Sequence, residues 1–325
     1  VALSTQSSRV RPGPRNAITD VAGLRVGQAH DEGVRSGVSV LLPDSAWIAA
    51  CDIRGGGPGT RETDALRPGN LVEHVHALVF SGGSAFGLSA ADGVMGWLAA
   101  RGLGFDTGSA RVPIVPAAIL YDLANGGEKN WGQTSPYPDL GRAACDQASP
   151  DIQLGRAGAG FGARAGALPG GIGTASAFDP ETGATVGAFV AVNSFGAVTM
   201  GDGTYYAWPH EIDGEFGGRT PSGAVEDPTP HFPKLAGART NTTLVAVATD
   251  AALDRAQAGH LAVMAQDGVA RAIRPAHTPF DGDSVFALAS GQVGPVDALG
   301  LARLGSIAAD CTARAIARGV YEAGR

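Results

Sequence analysis

Lysine is nearly missing from this chain. Two of its 325 residues are lysine, Lys129 and Lys234, against 22 arginines, and the formal net charge is −7. So few scattered bases make no basic patch or tail, which excludes nucleic acid as the main partner. Aromatic residues make up only 6%. Long apolar runs are absent: none reaches the roughly 18 residues that read as a membrane-spanning helix, so no membrane partner is expected. No charged start leads into an apolar core at the N-terminus, so the expectation is a cytoplasmic chain without a signal peptide. The opening Val1, in place of Met, leaves room for a trimmed leader. Cysteine is sparse. Cys51, Cys145 and Cys311 form an odd set without CxxC spacing, and read as buried small hydrophobes in a reducing compartment.

Glycine is what the chain has in excess, with 49 residues, about twice the usual share of roughly 7%. The glycines follow no Gly-X-Y period and sit between apolar segments, so they mark turns and close backbone contacts. The length allows two domains or one large α/β domain. The pattern favours one α/β unit over residues 1–325. A polar, Pro-rich arm covers 1–16, and alternating apolar stretches at 17–28, 36–42 and 46–52 predict strands. A glycine loop at 55–60 and a strand at 74–81 follow, and a helix is expected from Ser84 to about Arg101. Residues 114–123 form another apolar segment, and 158–166, 172–178 and 185–193 read as strands. Residues 202–240 carry little periodicity and read as a long exposed excursion. The last third predicts strand 243–248, helix 250–271, strand 284–289 and helix 295–323, a layered arrangement of helices over sheets.

Three places could carry chemistry. Asn241-Thr242-Thr243 joins the polar excursion to a strand. A threonine hydroxyl needs an activating base, and one solution is the α-amine of an N-terminal threonine. That solution requires a cut between Asn241 and Thr242, leaving fragments 1–241 and 242–325. Thr-Thr at a strand start is also ordinary β-propensity. Asp281-Gly282-Asp283 precedes the next strand and can aim two carboxylates at one point; it also reads as a strand-capping turn. The ligand series of a calcium loop is absent. Asn193 ends an apolar run, where it could donate to an oxyanion or be a satisfied core amide. Other patterns lead nowhere. There is no GxxxxGK[ST], no strand–GxGxxG–helix unit and no G-x-S-x-G, and His74 and His76 lack an evident third metal ligand.

The motifs Asn241-Thr242-Thr243-Leu244-Val245, Asp267-Gly268-Val269-Ala270-Arg271-Ala272-Ile273-Arg274-Pro275 and His277-Thr278-Pro279-Phe280-Asp281-Gly282-Asp283 stand in order. Upstream lie Gly56-Gly57-Pro58-Gly59-Thr60-Arg61-Glu62-Thr63-Asp64 and Ser81-Gly82-Gly83-Ser84-Ala85-Phe86-Gly87-Leu88. Together these resemble the DmpA-type aminopeptidase family of L-aminopeptidase/D-esterases, β-peptidyl aminopeptidases and nylon-oligomer (6-aminohexanoate-oligomer) endo-hydrolases. The likeness runs from about residue 17 to 323. It implies an αββα sandwich resembling N-terminal-nucleophile hydrolases, with its own connectivity, assembled as a homotetramer. It implies self-cleavage before Thr242, Thr242 as nucleophile, Asn193 at the oxyanion, Tyr121 lining the substrate site, and a small-molecule or short-peptide amide substrate. Neither cofactor nor metal is expected. Asp281 and Asp283 resemble the nylon-hydrolase branch more than the serine branch. Ala167 stands where the family often has a lysine, with Arg164 nearby. An acyltransferase of the ornithine-acetyltransferase type and an unprocessed, silent scaffold are the alternatives.

Overall fold

The computed structural model describes residues 9–223 and 241–325. Two sheets stack face to face. The first runs in the order β1 (Leu24–Asp31), β2 (Ser36–Pro43), β6 (Leu78–Ser81), β9 (Ala117–Ile119) and β4 (Thr60–Arg61). The second runs in the order β12 (Gly171–Asp179), β13 (Ala184–Asn193), β14 (Thr242–Ala252), β15 (Ser284–Pro295), β3 (Trp47–Ile53) and β5 (His74–Val75). Two small hairpins, β7 (Phe105–Asp106) with β8 (Arg111–Val112) and β10 (Arg164–Ala165) with β11 (Leu168–Pro169), stand apart. Helices α1 (Ala90–Ala99) and α2 (Tyr137–Asp146) cover the first sheet, and α3 (Arg255–Ala272) and α4 (Ala298–Ala323) cover the second. This is the expected αββα sandwich.

Period-two alternation builds the layers. On β14, Leu244, Ala246 and Ala248 point between the sheets, while Val245 and Val247 point at the helices. On β15, Phe286 and Leu288 face inward and Val285, Ala287 and Ala289 face the helices. Both faces are therefore apolar, which is why these strands read as continuous hydrophobic runs. Phe80, Phe189 and Phe286 meet between the sheets, with Phe80 6.2 and 6.0 Å from the other two ring centroids; each buried ring contributes about 1.5–3 kcal/mol. Much of the glycine excess serves close packing. A Cβ at Gly173 on β12 would stand 1.8 Å from the Ala315 carbonyl of α4, so only glycine lets that helix lie down on the sheet.

Several expectations need correction. The helix expected from Ser84 begins as a 3-10 turn, Ser84–Ser89, because Ser89 Oγ donates to Phe86 O at 2.7 Å and competes with regular helix bonds. The strand expected at 158–166 is a 3-10 turn, Gly158–Gly160, followed by only the short β10. Ser39 Oγ accepts the Ala159 N–H there, replacing a ladder partner. Helix α2 went unread because Pro138 and Gly141 disguise its start and middle. The third helix starts five residues late, since β14 runs on to Ala252 and Asp254 and Gln257 form a capping box. The stretch read as an exposed excursion is anchored in its first part, where Thr204, Ala207 and Phe216 are buried and Glu215 is clamped against α4, while 217–220, 222 and 223 are exposed. The remainder of that stretch, 224–240, lies outside the described residues.

Burial pushes the Cys51 thiol up to about 11 and those of Cys145 and Cys311 up to about 12, and all three are free. Cys145 and Cys311 are buried hydrophobes, as read from the sequence, and Cys51 is half-buried against the core between the sheets. Among the described residues no helix is long and apolar enough to cross a membrane.

Candidate active site

The strand order brings distant residues to one end of the second sheet. Antiparallel pairing of β13 with β14 sets Asn193 opposite Thr242. Parallel pairing of β14 with β15 sets Leu244 beside Ser284, so the turn before β15 lies beside the start of β14. Asn241 and Asp281 form a parallel bridge there, with the Asn241 N–H donating to Phe280 O at 2.9 Å. Asn193, Thr242, Asp281 and Asp283 are all at most 4% exposed.

The Asn241 carbonyl is the focus. Its oxygen accepts the Gly282 N–H at 2.7 Å and the Thr242 hydroxyl at 2.5 Å. Gly282 must be glycine, because a Cβ there would stand 2.7 Å from Thr242 Oγ1 and 2.9 Å from Gly57 O.

The two carboxylates hold the walls of this site. Asp281 Oδ1 accepts the Phe195 N–H at 3.1 Å; its Oδ2 accepts the Thr278 N–H at 2.9 Å and the Thr278 hydroxyl at 2.6 Å. Burial first, and then the negative charge of Asp283, push the Asp281 carboxyl above its ordinary range, while the bonds from Thr278 and Phe195 pull the other way. Asp283 Oδ1 accepts the Thr243 N–H at 2.7 Å, which pins the residue after Thr242. Its Oδ2 takes both the backbone N–H of His277 at 3.0 Å and the ring Nδ1 at 2.9 Å.

Asn193 has a fixed orientation. Its Oδ1 accepts the Arg164 N–H at 3.0 Å, and its Nδ2 donates to the Tyr121 carbonyl at 3.0 Å. An amide nitrogen carries two hydrogens, so one remains for another acceptor. Tyr121 thus joins the group through its backbone. Ala167 sits exposed in the β10–β11 turn, where its carbonyl accepts from Arg164 Nη2 at 3.2 Å.

Sequence reasoning did not assign roles to Phe195, Thr278, His277 or the Gly282 amide. His277 and Thr278 belonged to a quoted motif, yet their bonds depend on a turn whose shape the motif does not spell out. The His76 ring accepts the Ile114 N–H at 3.1 Å, and burial pulls its pKa down. No group of three or more His, Cys, Asp or Glu side chains among the described residues could hold a metal ion.

Comparison with known proteins shows the family and the fold. An uncharacterized aminopeptidase of Mycobacterium tuberculosis is 44% identical over 330 aligned residues, covering 95% of this chain and 94% of that one. A 6-aminohexanoate-oligomer endohydrolase of Agromyces sp. is 30% identical, covering 84% of this chain and 75% of that one. Among solved structures, a Burkholderia sp. beta-aminopeptidase matches with a TM-score of 0.73 at 23% identity, covering 96% of this chain and 88% of that one. The L-aminopeptidase D-Ala-esterase/amidase of Ochrobactrum anthropi, described as a new variant among the Ntn hydrolase fold, matches at 0.67 and 21%, covering 95% and 86%. These two share the fold. The model of peptidase family S58 matches residues 16–325, and by that match and the 44% relative the chain belongs to peptidase family S58, a family of peptide-bond hydrolases of the aminopeptidase kind.

Proposed function

We propose that this protein is a self-processing amidohydrolase in which Thr242 cuts its own chain and then serves as an N-terminal nucleophile. One observation carries the reading: the Thr242 hydroxyl and the Gly282 N–H converge on the Asn241 carbonyl at 2.5 and 2.7 Å. Thr242 Oγ1 attacks the Asn241 carbonyl carbon, and the Gly282 N–H stabilises the charge that develops on the oxygen. The C–N bond breaks as the ester C–O bond forms, and the hydroxyl proton passes to the departing nitrogen. Water then hydrolyses the ester. This gives an Asn241 carboxylate, a free Thr242 hydroxyl and a new α-amine.

In turnover, Thr242 Oγ1 attacks a substrate amide, and the α-amine takes the hydroxyl proton. An α-amine titrates near 7.7–8.0, close to working pH, which suits a general base. Asp281 and Asp283 orient the new terminus and favour its ammonium form. The remaining N–H of Asn193 faces the oxyanion; losing such a donor costs about 10²–10³-fold in kcat. The leaving amine departs with the proton, and water frees the acyl group. Substrates are small peptides, amino-acid amides or ω-amino-acid oligomers of the kind named for the Agromyces relative.

Intact mass spectrometry of the denatured protein tests the reading. Two chains split between Asn241 and Thr242, with hydrolysis of aminoacyl anilides, are expected. A single chain near 32.7 kDa that hydrolyses those anilides would overturn it.

The raised Asp281 carboxyl sets a pH dependence with opposite signs for stability and turnover. Its contribution to stability is full below the unfolded carboxylate value and is lost as pH rises through the raised folded value. Turnover needs the ionised form and is gained over that same rise. The expected result is an acid limb of kcat/KM above the ordinary carboxylate range. Over the same window the wild-type unfolding midpoint should fall relative to Asp281→Asn. Parallel midpoints for the two proteins across that window would remove Asp281 as the titrating group.

A further inference from the structure

A cleft of about 220 Å³ lies beside Asn193, between the 121–125 segment and the β10–β11 hairpin. Three arginines line it, Arg35, Arg156 and Arg164, all of them exposed, and no Asp or Glu does. None of the ion pairs among the described residues uses any of these three. In a chain of net charge −7 that is an unusual gathering of unpaired positive charge.

The walls are built. Asn125 Nδ2 donates to Arg35 O at 2.5 Å and to Gly162 O at 3.3 Å, joining the two sides. Phe161 stacks on His30 with centroids 4.2 Å apart, and the Arg156 guanidinium lies 5.8 Å from the Phe161 ring centroid. Arg164 connects the cleft to the active site, because its backbone N–H holds Asn193 Oδ1 at 3.0 Å. Tyr121, whose carbonyl holds Asn193 Nδ2, lies four residues before Asn125. Behind the wall lies the buried Asp122, whose carboxyl burial pushes up while bonds from Ser36 and Gly83 and the charge of Lys129 pull it down.

We infer that this cleft binds a carboxylate of the substrate, so that the enzyme selects short peptides or oligomers carrying a free carboxylate over their neutral counterparts. The inference rests on the amidohydrolase reading above and names its substrate class. Guanidinium groups match carboxylates in planar geometry and stay charged at every working pH. The volume admits a group of amino-acid size, which fits the end of a short substrate. The carboxylate can be the terminal one of the leaving group or an acidic side chain, and the two are separable by experiment.

The test compares kcat/KM for L-Ala-L-Ala with its C-terminal amide, and for the linear 6-aminohexanoate dimer with its amide. A side-chain arm compares L-Ala-L-Asp-amide with L-Ala-L-Asn-amide, and L-alanine p-nitroanilide reports hydrolysis without any carboxylate. The acid is expected to exceed its neutral partner by about 10- to 100-fold in at least one arm, the worth of a hydrogen bond to a charged group. That arm identifies the carboxylate. The preference should lie in KM and shrink with added salt. In Arg35→Ala and Arg156→Ala the acid-to-neutral ratio should fall toward one, and Arg156→Lys should recover part of it. Ratios near one in the wild type, or a wild-type ratio unmoved in both alanine variants, overturn the inference while anilide hydrolysis leaves the amidohydrolase reading standing. No hydrolysis of any probe overturns both.

Discussion

Thr242→Ala yields one uncut chain near 32.7 kDa and loses hydrolysis by about 10⁴-fold or more, the scale on which catalysis falls when a nucleophile acting in concert with its base is removed. The size follows from the double use proposed for this residue. Its hydroxyl at 2.5 Å from Asn241 O is the attacking group in processing, and its nitrogen becomes the base in turnover. Alanine removes the first and, by blocking the cut, withholds the second. Thr242→Ser keeps a hydroxyl at the same place and is expected to process, with the rate changed by the lost methyl group. Mass spectrometry and anilide hydrolysis read both variants. Complete cleavage of Thr242→Ala at the Asn241–Thr242 bond would place the attacking group elsewhere.

Glu215→Ala is expected to cost about 3–5 kcal/mol of stability, the usual penalty for leaving buried charge without its partner. Glu215 Oε1 is 2.6 Å from Arg314 Nε, and Oε2 is 3.0 Å from Arg314 Nη2 and 3.5 Å from Arg318 Nε. Asn16 Nδ2 donates to the same Oε2 at 2.6 Å. The Glu215 and Arg314 side chains are 7% and 3% exposed, so water does little to replace the lost carboxylate. The cluster fastens the N-terminal segment and the 211–217 loop to α4. Glu215→Gln keeps the shape without the charge and should lose less. Denaturant midpoints at constant slope measure both. A loss below about 1 kcal/mol would mean that Arg314 swings out to solvent and the cluster is not closed.

The outcome for particular elements shows what local pattern can carry. Strands β13 and β14 were legible because both faces are apolar over most of their length, and β15 because the same holds for its first half. Helices α3 and α4 were legible because their apolar stripes are long. Helix α2 was hidden, because its stability comes from Tyr137 and Ala144 buried against the first sheet and not from its own propensities. The 202–216 part of the excursion looked unanchored because Glu215 finds its partner about a hundred residues later on α4. Site residues behave likewise. Thr242, Asp281, Asp283 and Asn193 could be singled out from motif and position, but no local pattern says which oxygen takes which N–H.

By itself the sequence determined the residue types at hand, the alternation that makes two-faced strands and the order of the motifs. Tertiary structure decided what meets what. Asn193 stands opposite Thr242, and Asp281 beside Asn241, because antiparallel β13–β14 and parallel β14–β15 pairing place both ends at one edge of the sandwich. Register of that kind is set by burying both sheet faces at once, and a one-residue slip would turn every inward side chain outward. The hydrogen bonds on the Asn241 carbonyl and the arginine cleft beside Asn193 follow from that register, between residues tens of positions apart in the chain.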